Sequence, residues 1–83
     1  MTEKYAIFHD PHESIKGFDH HGLRFPAYIQ HKEFAKHFST WKPVSAGFIK
    51  VSVDHGKVHV ECYGESDSLG IKSAKGDVDF FNP

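Results

Sequence analysis

The sequence predicts an α+β domain, in which an antiparallel sheet of three to four strands carries one main helix packed on one face. Three observations lead to this class. A helical stripe of apolar residues precedes two runs of alternating residues, a tight-turn sequence joins these runs, and 83 residues suffice for one domain. We therefore expect residues 1–83 to form a single domain, with a short C-terminal helix as an option.

Composition and charge narrow the class of protein. Hydrophobic residues make up 39 % of the chain and include 8 Phe, 3 Tyr and 1 Trp, which is enough for a folded core. Because Cys62 is the only cysteine, neither an internal disulfide nor a cysteine-based zinc finger can form. The 10 Lys and Arg are dispersed among 11 Asp and Glu, so no basic stripe favours nucleic acid.

Two further absences in the sequence set expectations about location. Nowhere do 18 apolar residues follow one another, as a membrane-spanning helix requires. The first residues, Met1–Phe8, lack the long apolar segment of a signal peptide. We expect a cytoplasmic protein that binds no membrane.

The N-terminal third is predicted to contain a strand and a helical turn. Tyr5–Phe8 is a short apolar run typical of a strand. In Asp10–Glu13 an aspartate stands at the N-cap, a proline at the first helical position and a glutamate three residues after the cap. This pattern predicts a helical turn over Pro11–Lys16, inside a connection that runs to Gly22.

The main helix is predicted at Ala27–Ser39. Its apolar positions, together with one histidine, recur at i, i+4, i+7, i+8 and i+11, and Pro43 prevents continuation. The stripe consists of Ala27, His31, Phe34, Ala35 and Phe38. Leu23–Phe25 just before it is an alternative short strand.

A β-hairpin around Asp54–Lys57 is the clearest prediction in the chain. If His55 and Gly56 form the two-residue turn, both faces of the hairpin have matching chemistry in one register. The aliphatic face pairs Val53 with Val58, Val51 with Val60 and Ile49 with Cys62, whereas the polar face pairs Ser52 with His59, Lys50 with Glu61 and Phe48 with Tyr63. We expect the aliphatic face to pack against the main helix.

The last twenty residues allow more than one assignment of secondary structure. Leu69–Lys72 is a plausible third strand after a polar loop. Residues 74–81 fit either a strand, from the alternation after Gly76, or a helical turn capped by Ser73 with Asp77 near its positive end. The cap slightly favours the helix.

Short Gly and Ser patterns in the C-terminal half resemble a family of small uncharacterised bacterial proteins of about this length. The residues concerned are Ser45–Ile49, Gly64-Glu65-Ser66, Ser68-Leu69-Gly70 and Ser73. The resemblance implies an α+β bacterial domain with a C-terminal helix, and it brings no activity and no site residues.

Eight histidines suggest a transition-metal site, and zinc or nickel needs three or four convergent ligands. Regular elements do not supply them, because His31 and His37 point apart on a helix and Cys62 faces away from His59 on a strand. The remaining candidates lie in the N-terminal connection and are His9, His12, His20 and His21, beside Asp10. Solvated loop histidines are the alternative.

A second candidate site is an interaction surface on the polar face of the hairpin. It comprises Phe48, Lys50, His59, Glu61 and Tyr63. An aromatic pair with a polar rim is typical of protein interfaces, provided that no other element covers it.

Catalysis is not expected. The Gly64–Ser68 segment lacks the second glycine of a nucleophile elbow, and Cys62 is predicted to face the core. No phosphate-binding glycine loop or zinc-protease motif occurs, so we expect no cofactor. The sequence therefore favours a non-catalytic binding or interaction module, with a protein partner or self-association, over the alternative of a histidine-mediated Zn or Ni binder.

Overall fold

A four-stranded antiparallel sheet forms the centre of the computed structural model, which describes residues 2–82. The strand order is β2-β1-β3-β4, so β1 and β3 are central and β2 and β4 are the edges; a separate two-stranded ribbon pairs β5 with β6. The strands are β1 (Thr2–His9), β2 (His20–Phe25), β3 (Lys42–Asp54), β4 (Lys57–Tyr63), β5 (Glu65–Ser66) and β6 (Ile71–Lys72). The helices are α1 (His31–Ala35) and two 3-10 helices, Lys36–Phe38 and Asp77–Phe80.

The α+β class is confirmed in its coarse form, since an antiparallel sheet and a helix are both present. The balance differs from the prediction, because strands hold 47 % of the residues and helices only 15 %. No helix within residues 2–82 is long and apolar enough to cross a membrane.

The predicted hairpin is present with the predicted register at all six pairs from Phe48–Tyr63 to Val53–Val58. His55 and Gly56 form the turn, with φ of 50° and 77°. Positive φ at both central residues is the geometry whose twist matches that of the flanking strands, and glycine adopts it without strain. Turn chemistry and two-sided alternation therefore fix this register together.

The main helix is shorter than predicted. It begins at His31 instead of Ala27, and after Ala35 it tightens into the 3-10 helix that ends at Phe38. Residues 26–29 form a turn closed by a hydrogen bond from the Ile29 N–H to the Pro26 carbonyl at 3.1 Å. Lys4 Nζ donates to the Ile29 carbonyl at 2.9 Å, so the residues assigned to the first helical turn serve as a loop anchored on the sheet.

The main helix packs on the opposite face of the sheet from the one predicted. Its aromatic residues contact Phe8 and Phe25, which lie beside Ala6 and Ala46 in one apolar cluster. These residues share a face with Phe48 and Tyr63, because strand residues alternate between faces. We call this side of the sheet the helix face.

The aliphatic face of the hairpin is covered by the C-terminal segment. Tyr5, Ile7 and Ile49 are buried there, with Phe81 packed against them. Val53 and Val58 lie beyond this cover at the hairpin tip and are 70 % and 44 % exposed. The prediction that these two valines belong to the core is therefore wrong.

Three predictions for the remaining segments have different outcomes. The prediction of a helical turn at Pro11–Lys16 is wrong. The Asp10 carboxylate does accept the His12 N–H at 3.0 Å, as a cap would, but only isolated turns and no helix follow it. A short C-terminal helix is present as the 3-10 helix Asp77–Phe80. The third strand is reduced to Ile71–Lys72, which pairs with Glu65–Ser66 in the separate ribbon.

Candidate functional site

An open cavity of about 480 Å³ lies on the helix face, between the base of the hairpin, the start of α1 and the turn between β5 and β6. Strand residues supply its wall, and loops supply its rim. It is lined by Lys4, Gln30, His31, Phe48, Tyr63, Gly64, Glu65, Asp67 and Ser68.

Two stacked aromatic rings form the apolar wall of the cavity. Phe48 and Tyr63 are direct cross-strand partners, and their ring centroids lie 5.9 Å apart at an interplanar angle of 26°. Phe48 is half-buried, while Tyr63 is 43 % exposed. Main helix residues cover Phe8 and Phe25 instead, so this pair keeps an accessible ring surface.

A buried histidine forms the inner side of the cavity. His31 is only 3 % exposed, and its Nε2–H donates to the Gly47 carbonyl at 2.9 Å. Its ring meets Phe25 and Phe48 edge to face. Burial lowers the pKa of His31, and the positive charge of Lys4 lowers it further, so the imidazole is held neutral.

The lowered pKa of His31 makes folding stability depend on pH. Below the unfolded-state pKa of about 6.5 the unfolded chain binds a proton that the folded chain resists. Stability from this residue is therefore full above that value and is lost as pH falls toward the folded pKa. Urea unfolding at pH 7.5 and pH 5 should show a larger loss for the wild type than for His31→Gln, up to about 1.4 kcal/mol per pH unit.

The matched control for that measurement is His37→Gln, because His37 is exposed on the same helical segment. This variant should keep the pH dependence of the wild type. Equal pH dependence for the wild type and His31→Gln would contradict the assignment of a depressed pKa to His31.

The rim of the cavity is held by serine hydrogen bonds. Ser66 is buried, and its Oγ accepts the Leu69 N–H at 3.2 Å. Ser68 Oγ accepts the Lys32 N–H at 3.1 Å and so ties the β5–β6 turn to the first turn of α1. Glu65 in β5 and Asp67 in this turn both line the cavity, and across residues 2–82 neither takes part in a salt bridge.

The interaction surface expected from the sequence is only partly gathered in this cavity. Phe48 and Tyr63 line it, whereas Lys50, His59 and Glu61 are exposed farther along the hairpin toward its tip. The acidic rim was missed by sequence reasoning. The signal was the polar run Gly64–Ser68, which starts one residue after Tyr63 and therefore had to lie beside its partner Phe48.

Of the four candidate metal ligands, the structure brings two together. The His9 and His20 rings face each other across β1 and β2 at 4.9 Å, and Asp19 lies 3.6 Å from His9 Nε2 and 3.3 Å from His20 Nδ1. His21 points to the opposite face and stacks on Trp41 at 4.3 Å.

The fourth candidate, His12, is exposed in the connecting loop. Within residues 2–82 no group of three His, Cys, Asp or Glu side chains is placed to hold a metal ion. A metal site at these four histidines stays a prediction. Calorimetric titration with Zn²⁺ tests it.

Cys62 lies on the face opposite the cavity, among residues packed against the C-terminal segment. Burial, with a smaller contribution from the charge of Asp77, raises its thiol pKa to about 11. Near neutral pH it is therefore a protonated thiol and a poor nucleophile.

Comparison with protein-family models, curated proteins and solved structures finds nothing that matches this chain.

Proposed function

We propose that this protein is a non-catalytic binding module that takes up an arginine side chain of a partner protein in the cavity on the helix face. The observation that carries the proposal is an accessible pair of stacked aromatic rings beside two carboxylates that lack salt-bridge partners in the described part of the chain.

The aromatic wall suits a planar cation. A guanidinium stacks on an aromatic face through cation–π attraction and keeps its N–H groups free to donate in the ring plane. Tyr63 offers the more accessible ring, and Phe48 supports it from behind. Tyrosine at the centre of a contact often accounts for a large part of the binding free energy.

The charge of the lining also favours a cation. Glu65 and Asp67 contribute two negative charges and Lys4 one positive charge, a local sum of 1 − 2 = −1. The Lys4 ammonium is directed to the Ile29 carbonyl, and neutral His31 adds no charge. Carboxylates on the rim can accept two parallel hydrogen bonds from one guanidinium, which a lysine ammonium cannot reproduce.

The proposal is tested by NMR titration of ¹⁵N-labelled protein with a short blocked peptide that carries one central arginine. Shift changes should concentrate on the cavity lining. Peptides with lysine or glutamate at the central position should bind more weakly, in that order. Tyr63→Ala should weaken arginine-peptide binding about 5- to 30-fold, the effect of removing one interfacial aromatic anchor.

Tyr28→Ala is the matched control, since Tyr28 is 87 % exposed and does not line the cavity. Its binding should equal that of the wild type. Equal binding of the arginine and glutamate peptides, or shift changes centred away from the cavity, would contradict the proposal.

A further inference from the structure

Strand β4 forms an edge of the sheet, and in residues 2–82 its only strand partner is β3. Asp54 and Lys57 flank a two-residue turn and are therefore a hydrogen-bonded pair, so hydrogen-bonded pairs follow at every second position. The N–H and C=O groups of Val58, Val60 and Cys62 consequently point outward, away from β3. An exposed edge of this kind is a template for another strand.

The residues of β4 are complementary to themselves about Val60. In an antiparallel pairing of two copies centred there, His59 lies opposite Glu61 of the second copy, and this contact occurs twice. Lys57 meets Tyr63 on the same face, while Val58 meets Cys62 on the other. All seven residues of Lys57–Tyr63 then have a partner of suitable chemistry.

Neighbouring registers are less suitable. Centring on His59 places the two histidines opposite each other and leaves Cys62 and Tyr63 beyond the paired strand. Centring on Glu61 places two carboxylates opposite each other, which is unfavourable. A register that places His59 opposite Val60 of the second copy joins the polar face of one copy to the aliphatic face of the other and misaligns the outward N–H groups.

We propose that the chain forms a symmetric dimer by antiparallel pairing of two β4 strands centred on Val60, which gives one continuous eight-stranded sheet. Such a two-fold contact uses the same patch on both copies and leaves no β4 edge open. The His59 imidazole has an N–H to donate in either protonation state. Glu61 lies between Lys50 of its own β3 and His59 of the second copy.

An exposed apolar residue on the edge strand supports a covered edge. Val58, on β4 itself, is 44 % exposed. In the dimer Val58 packs beside Cys62 of the second copy, so apolar surface on the aliphatic face is removed from water. The contact is small, and we expect a dimer that dissociates on dilution.

Charge exchange between His59 and Glu61 tests both the dimer and its register. Sedimentation equilibrium at low ionic strength, over a hundredfold range of concentration, should show the wild-type dimer. His59→Glu places two carboxylates opposite each other, and Glu61→Lys replaces the acceptor of the His59 N–H by a second donor; each should weaken self-association about tenfold. An equimolar mixture of these two variants should restore the dimer, because one contact then joins the new carboxylate to the new ammonium and the other is the wild-type His59–Glu61 pair.

Matched substitutions away from β4 control for net charge. His12→Glu and Glu33→Lys change the same residue types at exposed positions and should leave the association constant unchanged. Circular dichroism of the β4 variants should match that of the wild type. A wild type that stays monomeric at the highest concentration would overturn the dimer. Failure of the mixture to restore association would overturn the Val60-centred register.

Discussion

Replacing Phe8 by alanine is expected to destabilise the domain by about 3–5 kcal/mol, the cost of removing a fully buried phenylalanine from a packed core. Phe8 is 0 % exposed and lies at the centre of the helix face. Its ring contacts those of Phe34, Phe38 and Trp41 at centroid distances of 6.4, 5.4 and 6.1 Å. These rings lie along one stretch, residues 34–41, which packs on the sheet through Phe8, so truncation leaves a cavity between that stretch and the sheet.

A loss of that size is a large share of the stability of a small domain, which is commonly about 5–15 kcal/mol. Thermal unfolding followed by circular dichroism should show a midpoint lower by at least about 12 °C, since 1 kcal/mol shifts a domain of this size by about 4–8 °C. Phe18→Ala is the control, because Phe18 is 65 % exposed and its truncation should change stability by less than about 0.5 kcal/mol. Similar midpoints for the two variants would contradict the central role of Phe8.

Local sequence signals predicted the hairpin correctly because two independent constraints agree there. Gly56 permits the positive φ of the turn, and a shift of one residue would exchange the polar and aliphatic faces. The short apolar run Tyr5–Phe8 also predicted a strand correctly, and the structure extends this strand to Thr2–His9.

The face covered by the helix could not be predicted, because both faces of the sheet carry apolar residues. One face has the aromatic residues Phe8 and Phe48, and the other has Ile49 and its aliphatic neighbours. Periodicity identifies each face but not its cover. The buried bond from His31 to Gly47 ties the first turn of α1 to the helix face, and it depends on a contact across 16 residues that no local pattern encodes.

The same limit applies to the cavity. Its aromatic wall followed from the Phe48–Tyr63 register, but its rim depends on Ser68 reaching the Lys32 N–H, 36 residues away in the chain. A serine-rich loop favours turns without identifying its distant partner. Side chains that are positioned by contacts between distant parts of the chain are therefore the part of a site that is hardest to predict from sequence.

Truncation of Asp77 is the second change expected to have a large effect. Asp77 is 4 % exposed, and its carboxylate accepts hydrogen bonds from the Tyr5 hydroxyl, from Ser45 Oγ at 2.9 Å and from the Ala74 N–H at 2.8 Å. Burial raises the pKa of Tyr5, and the hydrogen bond to Asp77 raises it further, so the phenol stays a donor. This carboxylate joins the C-terminal 3-10 helix to the two central strands.

Asp77→Ala leaves these three donors without their acceptor. Each buried unsatisfied group costs about 1–3 kcal/mol, and water from the adjacent depression of about 380 Å³ can satisfy part of the set. We expect a total loss of about 2–4 kcal/mol in urea unfolding. Asp79→Ala is the control, since Asp79 is exposed in the same 3-10 helix and should cost less than about 0.5 kcal/mol.

Asp77→Asn separates the role of the hydrogen bonds from that of the charge. Its carbonyl oxygen can take the place of the carboxylate oxygen that accepts from Tyr5 and Ala74. Its amide then faces Ser45, whose hydroxyl can rotate and accept, whereas the Ala74 N–H has no such freedom. We therefore expect Asp77→Asn to lose about 1 kcal/mol, the extra strength of charge-assisted bonds. A loss as large as that of Asp77→Ala would instead assign the stabilisation to the negative charge.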